Sequence, residues 1–189
     1  NWRNAFRGSI HETVKSVNEL TEVLAYHAKE IRTRISEIYE ISKEVSPLHK
    51  LYSDFKNKLI YDLTVDSFAD MYAQTLTYGL FSARFMHTET NFTTSNTLNK
   101  IPQTNPFLKR LFKNILKISE NKNIIEIFDD LGVGQLIEFL ASLNSNQKDL
   151  TKEILFLFGR KSKGGREDPV VHFYEGFLDK YDRVNRSRR

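Results

Sequence analysis

The chain has 189 residues, of which 40% are hydrophobic, 28% charged and 12% aromatic, so its composition is that of a folded globular protein rather than a disordered or collagen-like one. It contains no cysteine, which excludes a disulfide scaffold, a cysteine-ligated metal centre and thiol catalysis, and which fits a reducing, cytoplasmic location. No window approaches the roughly eighteen consecutive apolar residues of a membrane span, so no membrane association is expected. The start at Asn1, without an initiator methionine or a signal peptide, suggests a piece of a longer polypeptide.

The formal net charge of +4 lies entirely in residues 160–189, which hold nine basic and five acidic side chains. The first 159 residues are neutral overall. Because affinity for phosphate needs clustered lysine and arginine, any contact with phosphate should lie near the C-terminus. The candidate DNA-contact residues are Arg160, Lys161, Lys163, Arg166, Arg183, Arg186, Arg188 and Arg189.

Apolar residues with helical spacing, together with scarce glycine and proline, predict an all-α fold: a multi-helix bundle with one long N-terminal helix and several shorter helices. In the first segment an apolar residue recurs every seven positions from Ile10 to Val45. A helix of roughly 36 residues over this stretch would be about 54 Å long. Thr21 and Ser42 interrupt the apolar stripe, which favours packing on neighbouring helices over a long coiled coil.

Capping residues and prolines predict where the later helices begin. Ser46-Pro47 opens a second helix, and Thr64 or Asp66 caps a third over about 66–87. The threonine- and asparagine-rich residues 87–104 are expected to form a loop, and Asn105-Pro106 opens a fourth helix. Shorter helices are predicted near 123–130, 133–143 and 149–158.

In the last thirty residues, a proline that follows a capping residue separates a basic segment from a final helix. Residues 160–167, basic and with two glycines, are expected to be mobile, and Asp168-Pro169 starts a final helix. The predicted organisation is therefore a helical domain over 1–159, a mobile basic loop over 160–167 and a helix over 168–189.

Motifs that would carry chemistry have simpler interpretations in this chain. Gly132-Val133-Gly134 lacks the third glycine of a cofactor loop, since Ile137 stands there, and a turn between helices explains it better. Asn105-Pro106-Phe107 is typical of a helix start, and Asp54-Phe55-Lys56 of a solvated helix face. The five histidines are dispersed without metal-ligand spacing, and no glycine pair flanks a serine as in a nucleophile elbow, although a Ser-His-Asp arrangement stays open.

Three stretches, taken in order, resemble one family: FADMYAQTLTYGLFSAR at 68–84, IPQTNPFL at 101–108 and DPVVHFYEGFLDKYD at 168–182. They resemble the helical region of large single-chain restriction–modification enzymes that carry an N6-adenine-specific DNA methyltransferase. The resemblance extends from about Leu48 to the C-terminus, and the first helix matches only in character.

The resemblance implies that residues 1–159 form a connector between an N-terminal nuclease, or a nuclease plus a motor, and the methyltransferase, acting on DNA in bacterial defence. It also implies that the helix over 168–189 leads into the methyltransferase, whose Arg-Gly-Val-aromatic-Tyr-Thr-Pro run contributes to binding S-adenosylmethionine and would follow Arg189. The cofactor and catalytic loops would lie further on. No catalytic, cofactor-binding or metal-binding residue is therefore assigned within this chain, while the longer enzyme would use S-adenosylmethionine.

Two other functions stay open from the sequence. One is a helical protein-interaction or scaffold module unrelated to DNA, and the other is an autonomous nucleic-acid-binding domain that uses the basic tail. A connector separated from its neighbours should also expose apolar surface, which makes self-association through exposed helix faces, those of the first helix above all, an expected property.

Overall fold

The computed structural model describes residues 14–42, 46–58, 60–86, 131–143, 152 and 169–186. These residues form an all-α structure without strands, as the sequence predicts. The helices predicted from residue 105 and near 123–130, and the loops predicted over 87–104 and 160–167, lie outside the described residues. Of the helix predicted near 149–158, only Lys152 is described, and it is helical. The five helices are α1 (Val17–Ile41), α2 (Pro47–Lys58), α3 (Val65–Met86), α4 (Val133–Ser142) and α5 (Pro169–Arg186).

Helix α1 is shorter than its apolar repeat predicts. The Ser16 side chain accepts a hydrogen bond from the backbone N–H of Glu19 at 3.2 Å, and this N-cap starts the helix at Val17. At the other end the backbone N–H of Ser42 bonds to the Ile38 carbonyl at 2.9 Å, and the chain becomes extended. The prediction of one helix up to Val45 is therefore wrong, because local capping ends α1 after 25 residues, or about 38 Å.

Capping hydrogen bonds also mark where the next two helices begin. Pro47 is the first residue of α2, as predicted, and the Ser46 hydroxyl accepts from the backbone N–H of His49 at 3.3 Å. Thr64, rather than Asp66, caps α3, because its hydroxyl accepts from the backbone N–H of Ser67 at 3.1 Å. Asp66 instead lies in the first turn of α3, where a negative charge interacts favourably with the helix dipole.

Gly132 is the N-cap of α4 and has a left-handed backbone, with φ of 74°. A Cβ at this position would lie 3.2 Å from the Arg34 guanidinium Nε, so glycine serves both the turn and the close approach of α1. The Gly-Val-Gly stretch thus starts a helix, in line with the turn predicted for it.

The core forms around α1, which packs against α3, α4 and α5. Packing on neighbouring helices, rather than a coiled coil, is what the polar interruptions of the apolar stripe at Thr21 and Ser42 predicted. Contacts of Phe173 with Phe81 at one end and of Tyr181 with Asp70 at the other show that α5 runs antiparallel to α3. The largest fully buried side chains are Tyr72, Tyr181, Phe68, Phe81, Phe177, Leu20, Leu24, Ile31, Ile35, Leu76 and Leu80.

Candidate functional site

A polar network joins α1, α3 and α5 around the Asp70 carboxylate. The buried Tyr181 hydroxyl donates to Asp70 Oδ1 at 2.6 Å, and the Gln74 side-chain amide donates to Oδ2 at 2.9 Å. Arg32 Nε lies 3.6 Å from Asp70 Oδ1, while Arg32 Nη2 pairs with Asp66 at 2.7 Å. Each helix thus contributes at least one group, and the network fixes the three helices relative to one another.

Electrostatic effects in this region follow from partial burial and from these carboxylates. Burial raises the pKa of the Tyr174 hydroxyl, and the charge of Asp70 raises it further. For Arg32, burial opposes the charged form, but the hydrogen bond to Asp66 and the nearby negative groups outweigh it, so its pKa is raised. Both directions keep these groups in their ordinary protonation states at neutral pH, which suits a structural network better than proton transfer.

Aromatic rings extend the contact between α3 and α5. Phe173 stacks on Phe81 with ring centroids 4.3 Å apart and an interplanar angle of 8°, and Tyr174 meets Tyr78 edge-on at 4.7 Å. On the α1 side, Lys180 Nζ pairs with Glu22 at 2.7 Å, and this hydrogen bond lowers the pKa of Glu22. Between Phe173 and Tyr181, α5 is therefore held by apolar packing and, at Lys180 and Tyr181, by polar contacts.

A shallow polar groove lies beside α1. Its volume is about 330 Å³, and its lining combines cationic and anionic side chains with two hydroxyls, so it has no consistent charge for one class of ligand. Two of the charged residues already pair with each other across the groove, namely Arg32 and Asp66. We assign it no ligand. The lining residues are Lys29, Arg32, Thr33, Ser36, Glu37, Glu40 and Asp66.

The nearest approach to a nucleophile and base among the described residues is at the start of α2. Ser46 Oγ lies 2.8 Å from His49 Nδ1, and Ser42 Oγ lies 3.3 Å from the same nitrogen. The His49 ring stacks on Tyr39 with centroids 3.9 Å apart. Because Ser46 also accepts the backbone N–H of His49, the arrangement is a helix cap closed by a side chain, and no described carboxylate orients the imidazole.

Two further titratable side chains are buried between helices. His27 lies against the Phe139 ring of α4 at 5.4 Å, and burial lowers its pKa to about 4, so it is neutral at physiological pH. Arg84 donates from Nε to the Leu140 carbonyl at 3.0 Å, near the C-terminal end of α4, and burial lowers its pKa. A cation at a helix C-terminus satisfies otherwise unpaired carbonyls, so Arg84 has a structural role.

The predicted DNA-contact residues are only partly within the described structure. Arg160, Lys161, Lys163, Arg166, Arg188 and Arg189 lie outside it. Arg183 and Arg186 lie in the last turns of α5, where the backbone alone is described. Three of the exposed positions earlier on this helix are acidic, namely Glu175, Asp179 and Asp182. Lys180, which lies among them, pairs with Glu22.

No group of three or more histidine, aspartate or glutamate side chains that could hold a metal ion occurs in the described part of the chain. Among the described helices, none is both long and apolar enough to cross a membrane. The chain matches no protein-family model, no curated protein and no solved structure. The family resemblance therefore stays a hypothesis.

Sequence reasoning did not identify the network of Arg32, Asp70 and Tyr181. Asp70 and Tyr181 both lie in stretches that carry the family resemblance, but 111 positions separate them. Helical spacing places Tyr181 on the apolar face of α5, yet it does not say which helix this face meets. The sequence did offer one signal for this network, because Tyr181 continues a row whose other members are Phe173 and Phe177. A buried tyrosine hydroxyl needs a hydrogen-bond partner.

Proposed function

We propose that these 189 residues form a non-catalytic helical connector of an adenine-specific DNA methyltransferase with restriction–modification organisation. The connector holds a nuclease unit and a methyltransferase unit at a fixed geometry on DNA. S-adenosylmethionine binds to the methyltransferase unit, outside these residues. Packed helices suit this role because they stay stiff over tens of ångströms, which flexible linkers do not.

The observation that carries the proposal is the docking of α5 on α3. Helix α3 contains the first stretch of the resemblance and α5 contains most of the third. Although residues 85–167 separate them in the chain, the two stretches meet through the stacked pair Phe81–Phe173 and through the Asp70–Tyr181 hydrogen bond. A segment that enters a methyltransferase through α5 would thus be tied to the body of the bundle.

The sequence of the gene on both sides of these codons gives the sharpest test. We expect a nuclease region upstream and, directly after Arg189, an Arg-Gly-Val-aromatic-Tyr-Thr-Pro run followed by a glycine-containing cofactor loop and an Asn-Pro-Pro-aromatic loop. A gene without these downstream motifs would reject the connector function and favour the scaffold module.

An activity assay tests the non-catalytic half of the proposal. The 189-residue chain is incubated with DNA and S-adenosylmethionine labelled in the methyl group, beside a protein-free control. We expect no transfer of label above the control. Turnover that increases with protein concentration would contradict this.

An autonomous nucleic-acid-binding domain is the second candidate, and the location of all the net charge in residues 160–189 favours it. It requires DNA affinity that falls steeply with salt, because basic side chains displace counterions from phosphate. The affinity should disappear in a chain that ends at Gly159. Binding that is absent or independent of salt would reject this candidate.

A further inference from the structure

Buried aromatic side chains recur along α5 at nearly every helical turn. Phe173, Phe177 and Tyr181 are buried and four residues apart, so they form one row of six-membered rings. Sliding α5 by four residues along the groove, or about 6 Å, would place Phe173 where Phe177 had been and Phe177 where Tyr181 had been. Two of the three ring positions would thus still hold a ring, and non-directional hydrophobic packing distinguishes the registers only at the third position.

A single hydroxyl breaks this repetition. Of the three rings, only that of Tyr181 carries one, and it donates to the half-buried Asp70 carboxylate at 2.6 Å. In the shifted register Phe177 would face Asp70, which would lose its shortest hydrogen bond. Asp70 would keep the Gln74 amide on Oδ2, but Oδ1 would keep only Arg32 Nε at 3.6 Å. Weakening the hydrogen bonding of a partly buried carboxylate oxygen is costly, whereas exchanging one ring for another is not.

We propose that the hydrogen bond from Tyr181 to Asp70 determines the register of α5 on the bundle, with Asp70 as the positioning residue. The ion pair between Lys180 and Glu22 adds a weaker preference for the same register, because Glu22 is about half exposed. One consequence rests on the proposed connector function: the register sets where a unit attached after α5 is held, in steps of about one helical turn.

The absence of cysteine allows the register to be measured by site-specific labelling. Spin labels on Glu40→Cys and Gly176→Cys report the distance along the helix axes by double electron–electron resonance. Glu40 is exposed near the end of α1, and a Cβ at Gly176 would meet no other atom within 4 Å, so both sites tolerate a label. We expect one narrow distance distribution in this doubly labelled parent.

The pairing of Arg32 with Asp66 places the C-terminal part of α1 near the start of α3, towards which the slide would carry Gly176. The slide therefore shortens the measured distance by up to about 6 Å. Exchanging the hydroxyl, with Phe177→Tyr and Tyr181→Phe together, is expected to move the main peak to the shorter distance. Tyr181→Phe alone should produce two populations.

Two variants serve as controls. Asp70→Asn keeps an acceptor oxygen and should keep the parent distance. Tyr174→Phe removes a hydroxyl from the same helix without touching the Asp70–Tyr181 bond, and it should also leave the distance unchanged. Circular dichroism confirms equal helix content in all variants.

The proposal would be overturned if the double variant Phe177→Tyr/Tyr181→Phe and the single variant Tyr181→Phe both kept the label distance of the parent. Packing alone would then set the register. If the double exchange fails to fold, Tyr181→Phe decides alone, since it preserves the ring, and an unchanged distribution there overturns the proposal. A gene without a downstream methyltransferase would reject the connector function while leaving the measured register as it is, so the two failures are distinguishable.

Discussion

The burial of His27 makes the free energy of unfolding depend on pH. This residue of α1 is 6% exposed, and its ring lies against Phe139 of α4. Burial lowers its pKa from 6.5 to about 4, so the folded state holds the neutral ring while the unfolded chain takes up a proton below pH 6.5. Above pH 6.5 the ring is neutral in both states, and the free energy of unfolding has its full value with respect to this group. As the pH falls from 6.5 towards 4, protonation of the unfolded chain lowers the free energy of unfolding.

We expect acidification over that window to lower the free energy of unfolding by about 3 kcal/mol through His27 alone. Urea unfolding from pH 7 to pH 4 measures it, with His27→Phe as the comparison. The variant should show a shallower fall than the parent. Equal slopes in the two proteins would mean that His27 titrates normally in the folded state.

Thr64 provides a prediction about capping. Its hydroxyl accepts the backbone N–H of Ser67, so Thr64→Ala should lower the free energy of unfolding by about 1 kcal/mol. Thr33→Ala is the matched control, because it makes the same exchange at an exposed position inside α1 and should leave stability unchanged or slightly higher. Chemical denaturation compares them, and equal effects would show that Thr64 contributes nothing as a cap.

At the scale of elements, two glycines serve their helices in opposite ways. Gly132 begins α4 with a left-handed backbone beside Arg34, whereas Gly176 lies inside α5 and faces open space. An L-residue is strained at the first position. At the second, it would strengthen the helix by restricting the unfolded chain.

Alanine at these two positions should therefore change stability in opposite directions. Gly132→Ala is expected to lower the free energy of unfolding by about 1–2 kcal/mol, and Gly176→Ala to raise it by about 0.5–1 kcal/mol. Thermal and urea unfolding of both variants measure this. A stabilising Gly132→Ala would contradict the assigned backbone conformation.

At the scale of the whole molecule, two large apolar side chains at different places are highly exposed. Ile41 at the end of α1 is 83% exposed, and Tyr61 in the turn between α2 and α3 is 88% exposed. The first lies on the helix that the sequence marks for self-association. The second is a similarly exposed side chain away from that helix.

Sedimentation velocity at several protein concentrations tests this expectation. The sedimentation coefficient should rise with concentration, and Ile41→Lys should reduce the rise, because a charge there opposes burial of the α1 end. Tyr61→Lys, the control, should not. A strictly monomeric parent would contradict self-association through α1.

The sequence by itself determined the helical class and the starts of α2 and α5 at their prolines, because these depend on local capping and on spacing within one helix. It overestimated α1, since a seven-residue repeat continues past the serine caps that end the helix. Only the tertiary structure decided that Tyr181 meets Asp70, that His27 is buried against α4 and that Arg84 reaches the Leu140 carbonyl. Such contacts join positions far apart in the chain, and spacing within one helix does not specify which faces of different helices come together.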